Sequence, residues 1–162
     1  MLIFFDTEFT GLTDNPKMIS IGLVAENGRE FYAELSDTYL DDDLSDFTRE
    51  HIVPLLMGGK FTTTQSELKI LLKTWIESFD CQVTLATDNA KWDWPFIIEL
   101  LSEWPINLSN EYLLLNLNYV KDADLFFETV KHSYARGLRK HHALDDAKAN
   151  RLGWLATEST EM

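Results

Sequence analysis

The sequence predicts an α/β protein with a mixed five-stranded sheet, three antiparallel strands followed by parallel strands, flanked by helices. Three strand-like segments open the chain, and helix-like and strand-like segments alternate after them. Hydrophobic residues make up 45% of the 162 residues, enough to fill a core between a sheet and its helices. Because this length is typical of one domain, residues 1–162 are predicted to form a single domain.

The first three strands are predicted to form an antiparallel meander. Residues 2–5 are an apolar run of β-branched and aromatic types, which fit a pleated, buried surface. Two further strands are predicted over residues 17–26 and 29–35. Asn27 and Gly28 lie between them, and this pair is the strongest short signal for a hairpin because both residues tolerate a positive φ.

Helices and strands alternate through the rest of the chain. The clearest helix lies in residues 62–79, where apolar residues follow helical spacing and Thr64 with Glu67 forms a capping box. The apolar stripe consists of Leu68, Leu71, Leu72, Trp75, Ile76 and Phe79. Strands are then predicted over residues 82–88 and 112–120, and helices over residues 92–104 (with Pro95 in its first turn), 123–133 and 143–159.

The charge balance argues against a general surface for binding polyanions. Lys and Arg total 14 against 27 Asp and Glu, a net charge of −13. Phosphate-binding surfaces usually carry clustered positive charge, so a nucleic-acid substrate would be held by local contacts or through metal ions. The single cysteine excludes an intramolecular disulfide framework. Since no signal peptide is evident and no apolar run approaches the ~18 residues of a membrane helix, a cytoplasmic protein with no membrane partner is expected.

Two acids directly follow the first apolar run. Alternate residues of a strand share a face, so Asp6 and Glu8 would project side by side. Two carboxylates at such a short distance repel each other, and one must take up a proton unless a cation lies between them. Taken alone, this Asp-x-Glu pattern is more often a solvated strand end than a metal site.

Acids from two later segments can reach the same end of the sheet. Asp93 lies at the start of a predicted helix beyond the fourth strand, and "HHALDDA" places acids in the first turn of the last helix. Open α/β sheets bind ligands in the crevice outside their strand ends. Periodicity does not choose between Asp145 and Asp146, nor does it choose between His141 and His142.

Carboxylates that converge in this way would need metal ions to offset their repulsion. Oxygen ligands in this number suit a hard divalent cation, Mg²⁺ or Mn²⁺. Two such ions roughly 3.5–4 Å apart can bind both the attacking and the leaving oxygen of a phosphoryl displacement. A histidine just before the last helix would suit a general base, because its unperturbed pKa is about 6.5.

Three segments together resemble the motifs of the DEDDh 3′–5′ exonucleases, the family that includes ribonuclease T, oligoribonuclease and proofreading exonuclease subunits. The segments are "FFDTEFTGL", "DNAKWDWPFI" and "HHALDDA". The three motifs of the family map onto Asp6 and Glu8, onto Asn89 and Asp93, and onto His141 and Asp146. Their order matches, and they span residues 6–146. Within the family, the first segment and the one after it look most similar to a compact exoribonuclease group of bacteria and phages.

The resemblance implies a ribonuclease H-like fold and release of 5′-mononucleotides from the 3′ end of single-stranded RNA or of a 3′ overhang. It implies two Mg²⁺ or Mn²⁺ ions held by Asp6, Glu8, Asp93 and Asp146, with His141 as general base. Only the spacing of the family motifs favours Asp146 and His141 over their neighbours. The alternatives are a 3′–5′ exodeoxyribonuclease acting on single-stranded DNA and, ranked below it, a catalytically silent adaptor that binds nucleic acid. Relatives are often homodimers, and the sequence does not decide whether this protein also forms a homodimer.

The family binds the terminal nucleotide with residues just after the Glu, which implies Phe9, Thr10 and Leu12 as substrate contacts. Phe9 could stack on the last base, although burial habits favour a core position equally. Asn89, from the second motif, is a further predicted contact.

A basic segment precedes His141. Residues 131–142 contain four of the 14 basic residues and no acid. We hypothesise that Arg136 and Arg139 in this segment contact the substrate backbone just upstream of the scissile phosphate.

Overall fold

A computed structural model describes residues 1–159; residues 160–162 of the predicted domain lie outside the described residues. The strands are β1 (Leu2–Phe9), β2 (Met18–Ala25), β3 (Glu30–Leu35), β4 (Thr62–Thr63), β5 (Val83–Thr87) and β6 (Leu108–Leu114). The helices are α1 (Asp46–His51), α2 (Gln65–Glu77), α3 (Ala90–Leu100), α4 (Ala123–Ala135) and α5 (Ala143–Glu158). No helix within residues 1–159 is long and apolar enough to cross a membrane.

The strands form one mixed sheet in the order β4-β3-β2-β1-β5-β6. Strands β1 to β3 pair antiparallel, as predicted, and Asp6 lies opposite Gly22. Strand β5 pairs parallel with β1, and β6 pairs parallel with β5. The predicted fold class is therefore confirmed, and the architecture is consistent with a ribonuclease H-like fold.

Three predicted details of this architecture are wrong. The sheet has a sixth strand, β4, whose two residues are too few to leave a periodic pattern in the sequence. Strand β6 begins at Leu108 and not at residue 112, because parallel pairing of Leu108 with Val83 draws a polar segment into the edge of the sheet. The apolar residues after Leu114 instead enter a turn around Asn116. Helix α3 begins at Ala90, which places Pro95 beyond its first turn.

The alternation of side chains along β1 separates two layers of core. Ile3 and Phe5 pack on the face covered by α2 and α3. Phe4 packs on the opposite face, against residues from α4 and α5. Because Asp6 and Glu8 have the same parity as Phe4, their side chains point to the α5 side of the sheet.

Helix α5 approaches the sheet most closely at Gly22. A Cβ atom at this position would lie 2.2 Å from the backbone nitrogen of Leu144 in the first turn of α5. We expect Gly22→Ala to lower the free energy of unfolding by about 3 kcal/mol or more, because the clash is with helix backbone that cannot rotate away. Urea unfolding measures this loss.

The matched control for that experiment is Gly58→Ala. Gly58 has a φ of 62°, but a Cβ atom there would meet nothing within 4 Å. Since ψ at Gly58 is −159°, the cost is expected to come from backbone strain alone, on the order of 1–3 kcal/mol. Equal costs at the two glycines would contradict the close seating of α5 on β2.

Candidate active site

A cleft of about 520 Å³ opens at the carboxyl end of β1. Asp6 and Glu8 line it from β1, and Asp146 lines it from the first turn of α5. His141 reaches the same cleft from the loop between α4 and α5. The other lining residues are Thr7, Phe9, Gly11, Leu12, Ser45, Phe47, Thr48, Ile52 and Asn89. Side chains from the first and third sequence motifs therefore meet at one place.

Three of these side chains could hold one metal ion. Glu8, His141 and Asp146 each offer a ligand atom, and the three atoms lie within 4.8 Å of one another. A set of carboxylate oxygens and an imidazole nitrogen suits a divalent cation such as Mn²⁺, and oxygens alone suit Mg²⁺.

The electrostatics of the cleft fit a bound cation. Burial raises the pKa of Asp6 well above its ordinary value, and the negative charges of Asp93 and Glu8 raise it further. Burial also raises the pKa of Glu8 to about 8, with Asp146 adding to the shift. Positive charge placed among these groups would offset the repulsion that each feels from the others. The donor set and its negative charge therefore fit a divalent cation.

Two hydrogen bonds hold Asp146 in the cleft. The hydroxyl of Tyr134 donates to one carboxylate oxygen at 2.7 Å, and the backbone N–H of His141 donates to the other at 3.0 Å. Burial raises the pKa of Asp146 to about 6, although both hydrogen bonds oppose the shift. Tyr134, on α4, therefore orients a predicted metal ligand without lining the cleft itself.

Asp93 lies behind the cleft and does not line it. Its side chain is fully buried in the first turn of α3. The hydroxyls of Thr7 and Thr87 donate to its two oxygens at 2.6 Å and 2.7 Å. Burial raises the pKa of Asp93 to about 7 against the effect of these bonds. Asp93 adds negative charge near Asp6, and as a direct metal ligand it would have to share oxygens that already accept hydrogen bonds.

The structure places the paired residues of "HHALDDA" in different surroundings. Asp146 faces the cleft, whereas Asp145 binds Arg139. His141 faces the cleft with a left-handed backbone, φ 67°. His142 is only 2% exposed, and its ring accepts the N–H of Asp145 as the N-cap of α5. The two positions favoured by the family spacing are the two that reach the cleft.

The surroundings of His141 favour its neutral form. Burial lowers the pKa of His141, and the positive charge of Lys140 lowers it further, with a smaller contribution from His51. A neutral imidazole can accept a proton at pH 7. The ring also contacts Phe47 edge-on, with 5.1 Å between ring centroids.

The predicted substrate contacts from the first two motifs divide into two groups. Phe9, Leu12 and Asn89 line the cleft. Phe9 is half-buried and stacks on Trp92, with ring centroids 5.6 Å apart. Thr10 is buried and outside the lining, and its hydroxyl accepts the backbone N–H of Lys17.

The two predicted arginine contacts lie outside the cleft. Arg139 donates its Nε–H to Asp145 at 2.7 Å. Arg136 lines a separate cavity of about 630 Å³ between α4, α5 and the β2–β3 hairpin. The structure does not bring either guanidinium among the residues that line the cleft.

Helix α1 supplies cleft residues that sequence reasoning missed. Phe47 lines the cleft and is 50% exposed. His51 lies beside it, with 4.7 Å between ring centroids, and its ring is 6.5 Å from that of His141. No motif marks this segment, and its weak helical pattern carries no signal of proximity to His141.

Comparison with known proteins finds a partial likeness. No family model matches the chain. Two proteins of Mycobacterium tuberculosis, from strains CDC 1551 and H37Rv, are each named 3′-5′ exoribonuclease and are each 41% identical to this chain over 56 residues. Each match covers 35% of this chain and 33% of the relative, so the chain aligns with about a third of the relatives' length.

Proposed function

We propose that this protein is a metal-dependent 3′–5′ exoribonuclease of the DEDDh type, acting on single-stranded RNA or on 3′ overhangs. The observation that carries the proposal is the convergence of Asp6, Glu8, Asp146 and His141 in one cleft. The names of the two mycobacterial relatives support the same activity. The preference for RNA rests on those names and on the motif resemblance.

Within this proposal, Asp6, Glu8 and Asp146 would hold two divalent ions, and the buried carboxylate of Asp93 would add negative charge behind them. The ions would lower the pKa of the attacking water and stabilise negative charge on the leaving oxygen. Tyr134 and the backbone N–H of His141 hold the carboxylate of Asp146 in a fixed orientation. A preset arrangement of this kind avoids reorganisation during the reaction.

His141 is the proposed general base. Its neutral ring takes a proton from the water that attacks the terminal phosphorus atom. The bond from phosphorus to the 3′-oxygen of the preceding nucleotide breaks, and that oxygen takes up a proton from solvent. The products are a 5′-mononucleotide and a strand shortened by one residue with a free 3′-hydroxyl.

Aromatic side chains provide a surface for the terminal base. Phe47 is half exposed at the cleft and contacts the ring of His141, while Phe9 lies against Trp92. Stacking on an aromatic ring contributes about 1–3 kcal/mol per base and tolerates any base. The site therefore suits an unpaired terminal nucleotide of any sequence.

Digestion of end-labelled strands tests the proposal. RNA and DNA oligomers of matched sequence, labelled at either end, are incubated with Mg²⁺ or Mn²⁺. We expect 5′-labelled RNA to shorten one nucleotide at a time and 3′-labelled RNA to release mononucleotide at once. His141→Ala should slow the reaction by about 10²–10⁴-fold, the usual contribution of a general base.

The control variant is His132→Ala, which removes an exposed histidine on α4 that does not line the cleft. It should match wild type. Internal fragments, or faster digestion of DNA than of RNA, would contradict the proposed activity, and the second outcome would favour the exodeoxyribonuclease.

A further inference from the structure

The loop that carries His141 is bound at several points to the first turn of α5. It runs from Arg136 to His142, between the end of α4 and the start of α5. The backbone N–H and the Nε–H of Arg139 both donate to Oδ2 of Asp145, at 2.9 Å and 2.7 Å. The Asp145 side chain is only 7% exposed, so this ion pair is largely shielded from water on the carboxylate side.

His142 fixes the other end of the loop. Its ring is almost fully buried and stacks on Tyr32, with ring centroids 4.6 Å apart. Its Nδ1 atom lies 3.4 Å from the backbone nitrogen of Asp145 and 3.4 Å from Nη2 of Arg139. Tyr32 in turn donates its hydroxyl hydrogen to the buried Glu34 at 2.8 Å. The residue after His141 is thereby tied to the sheet through β3.

His141 lies between these two anchors in a conformation that a free loop would seldom adopt. Its φ of 67° is unfavourable for a residue with a side chain. Such a conformation costs on the order of 1–3 kcal/mol and persists only where the surrounding contacts determine it. The backbone N–H of His141 is itself bonded to Asp146, and the contacts on either side are those of Arg139 and His142, both of which involve Asp145.

We infer that Asp145 and Arg139 are positioning residues that hold the imidazole of His141 in the cleft. The inference rests on the proposed function of His141 as general base. It assigns to Arg139 a role within the loop, whereas the sequence suggests a contact with the substrate backbone. The two roles predict different kinetics, because a misplaced base slows the chemical step and a lost backbone contact weakens binding.

Two variants remove the hydrogen bonds between Arg139 and Asp145 in steps. Arg139→Gln removes the side-chain donor and leaves the backbone N–H bonded to Asp145, while Asp145→Ala removes the acceptor of both bonds. We expect kcat on single-stranded RNA to fall about fivefold in Arg139→Gln and about 50-fold in Asp145→Ala, in line with the cost of a shift of about 1 Å in a reacting group. KM and Mg²⁺ affinity should stay within about twofold of wild type.

Hydrogen exchange gives a readout that does not depend on activity. The backbone amides of residues 138–142 should exchange about tenfold faster in Asp145→Ala, because local opening of the loop becomes easier. The matched control is Lys73→Gln, which removes the ion pair between Lys73 on α2 and Glu103 after α3, outside the cleft lining. It should change neither kcat nor exchange in the loop.

Several outcomes would overturn the inference. A raised KM with unchanged kcat in Arg139→Gln would assign Arg139 to substrate binding. Equal losses of kcat and of Mg²⁺ affinity would indicate damage to the metal site. Unchanged exchange in Asp145→Ala would show that the loop does not depend on this anchor. If the wild type cleaves no RNA, the proposed function fails, and the exchange measurement still decides whether Asp145 holds the loop.

Discussion

Replacing Asp6 by asparagine is expected to lower kcat for metal-dependent RNA cleavage by about 10³-fold or more, because a ligand charge worth several kcal/mol is lost with little change in shape. Asp6 lines the cleft beside Glu8. The pKa of Asp6 is raised by burial and by its acidic neighbours, so a charged Asp6 destabilises the metal-free protein. The variant should therefore fold at least as stably as wild type without metal, while gaining less stability from added Mg²⁺.

Single-turnover cleavage of 5′-labelled RNA measures the loss, and thermal unfolding with and without Mg²⁺ measures the stability. The control is Asp42→Asn, which makes the same charge change at an exposed position outside the cleft. We expect this control to cleave at the wild-type rate. An Asp6→Asn variant that is well folded and still cleaves normally would remove Asp6 from the site and with it the basis of the proposed mechanism.

The metal-free protein is expected to lose stability as pH rises from 5 to 8. The folded-state pKa values of Asp146, Asp93 and Glu8 are raised to about 6, about 7 and about 8. Unfolding returns these groups to ordinary values of about 4. A carboxyl group with a raised folded pKa stabilises the fold at low pH, and that stability is lost as pH rises through the folded value. On this basis, Asp146 by itself accounts for a loss of about 3 kcal/mol in the free energy of unfolding.

Mg²⁺ should reverse this trend, because it binds the deprotonated carboxylates. Urea unfolding at pH 5, 6, 7 and 8, in EDTA and in Mg²⁺, measures both effects. We expect the stabilisation by Mg²⁺ to be larger at pH 8 than at pH 5. In EDTA, the free energy of unfolding should fall less steeply with rising pH in Asp6→Asn than in wild type. Equal stabilisation at both pH values would contradict a metal site built from these groups.

The pKa of Asp145 is shifted in the opposite direction, so its effect on stability has the opposite dependence on pH. Burial alone would raise its pKa, but hydrogen bonds from Arg139 outweigh burial and leave the pKa of Asp145 below its ordinary value. Its stabilising contribution is present above pH 4 and is lost on further acidification. Asp145 therefore changes the stability of the metal-free protein only below about pH 4, and it does not alter the decline expected between pH 5 and pH 8.

Local sequence patterns predicted most of the architecture. The Asn27–Gly28 turn corresponds to a hairpin in the structure. Of the predicted apolar stripe, Leu68, Leu72 and Ile76 form the buried face of α2, whereas Leu71 is 50% exposed. Prediction failed where non-local pairing outweighs local pattern. Strand β6 is positioned by Val83 on its neighbour, and β4 exists because two residues pair with the edge of β3.

By itself, the sequence determined the α/β class, the meander of β1 to β3 and the positions of the motif acids, since these depend on periodicity, turn chemistry and spacing along the chain. Periodicity left open which of two adjacent acids faces the cleft, because successive residues of a helix point about 100° apart. The packing of α5 on the sheet, closest at Gly22, turns Asp146 toward the cleft, the position that the motif spacing favours. Only the tertiary structure brought Phe47 beside His141 and turned Arg139 toward Asp145. These contacts join segments whose proximity no local pattern encodes.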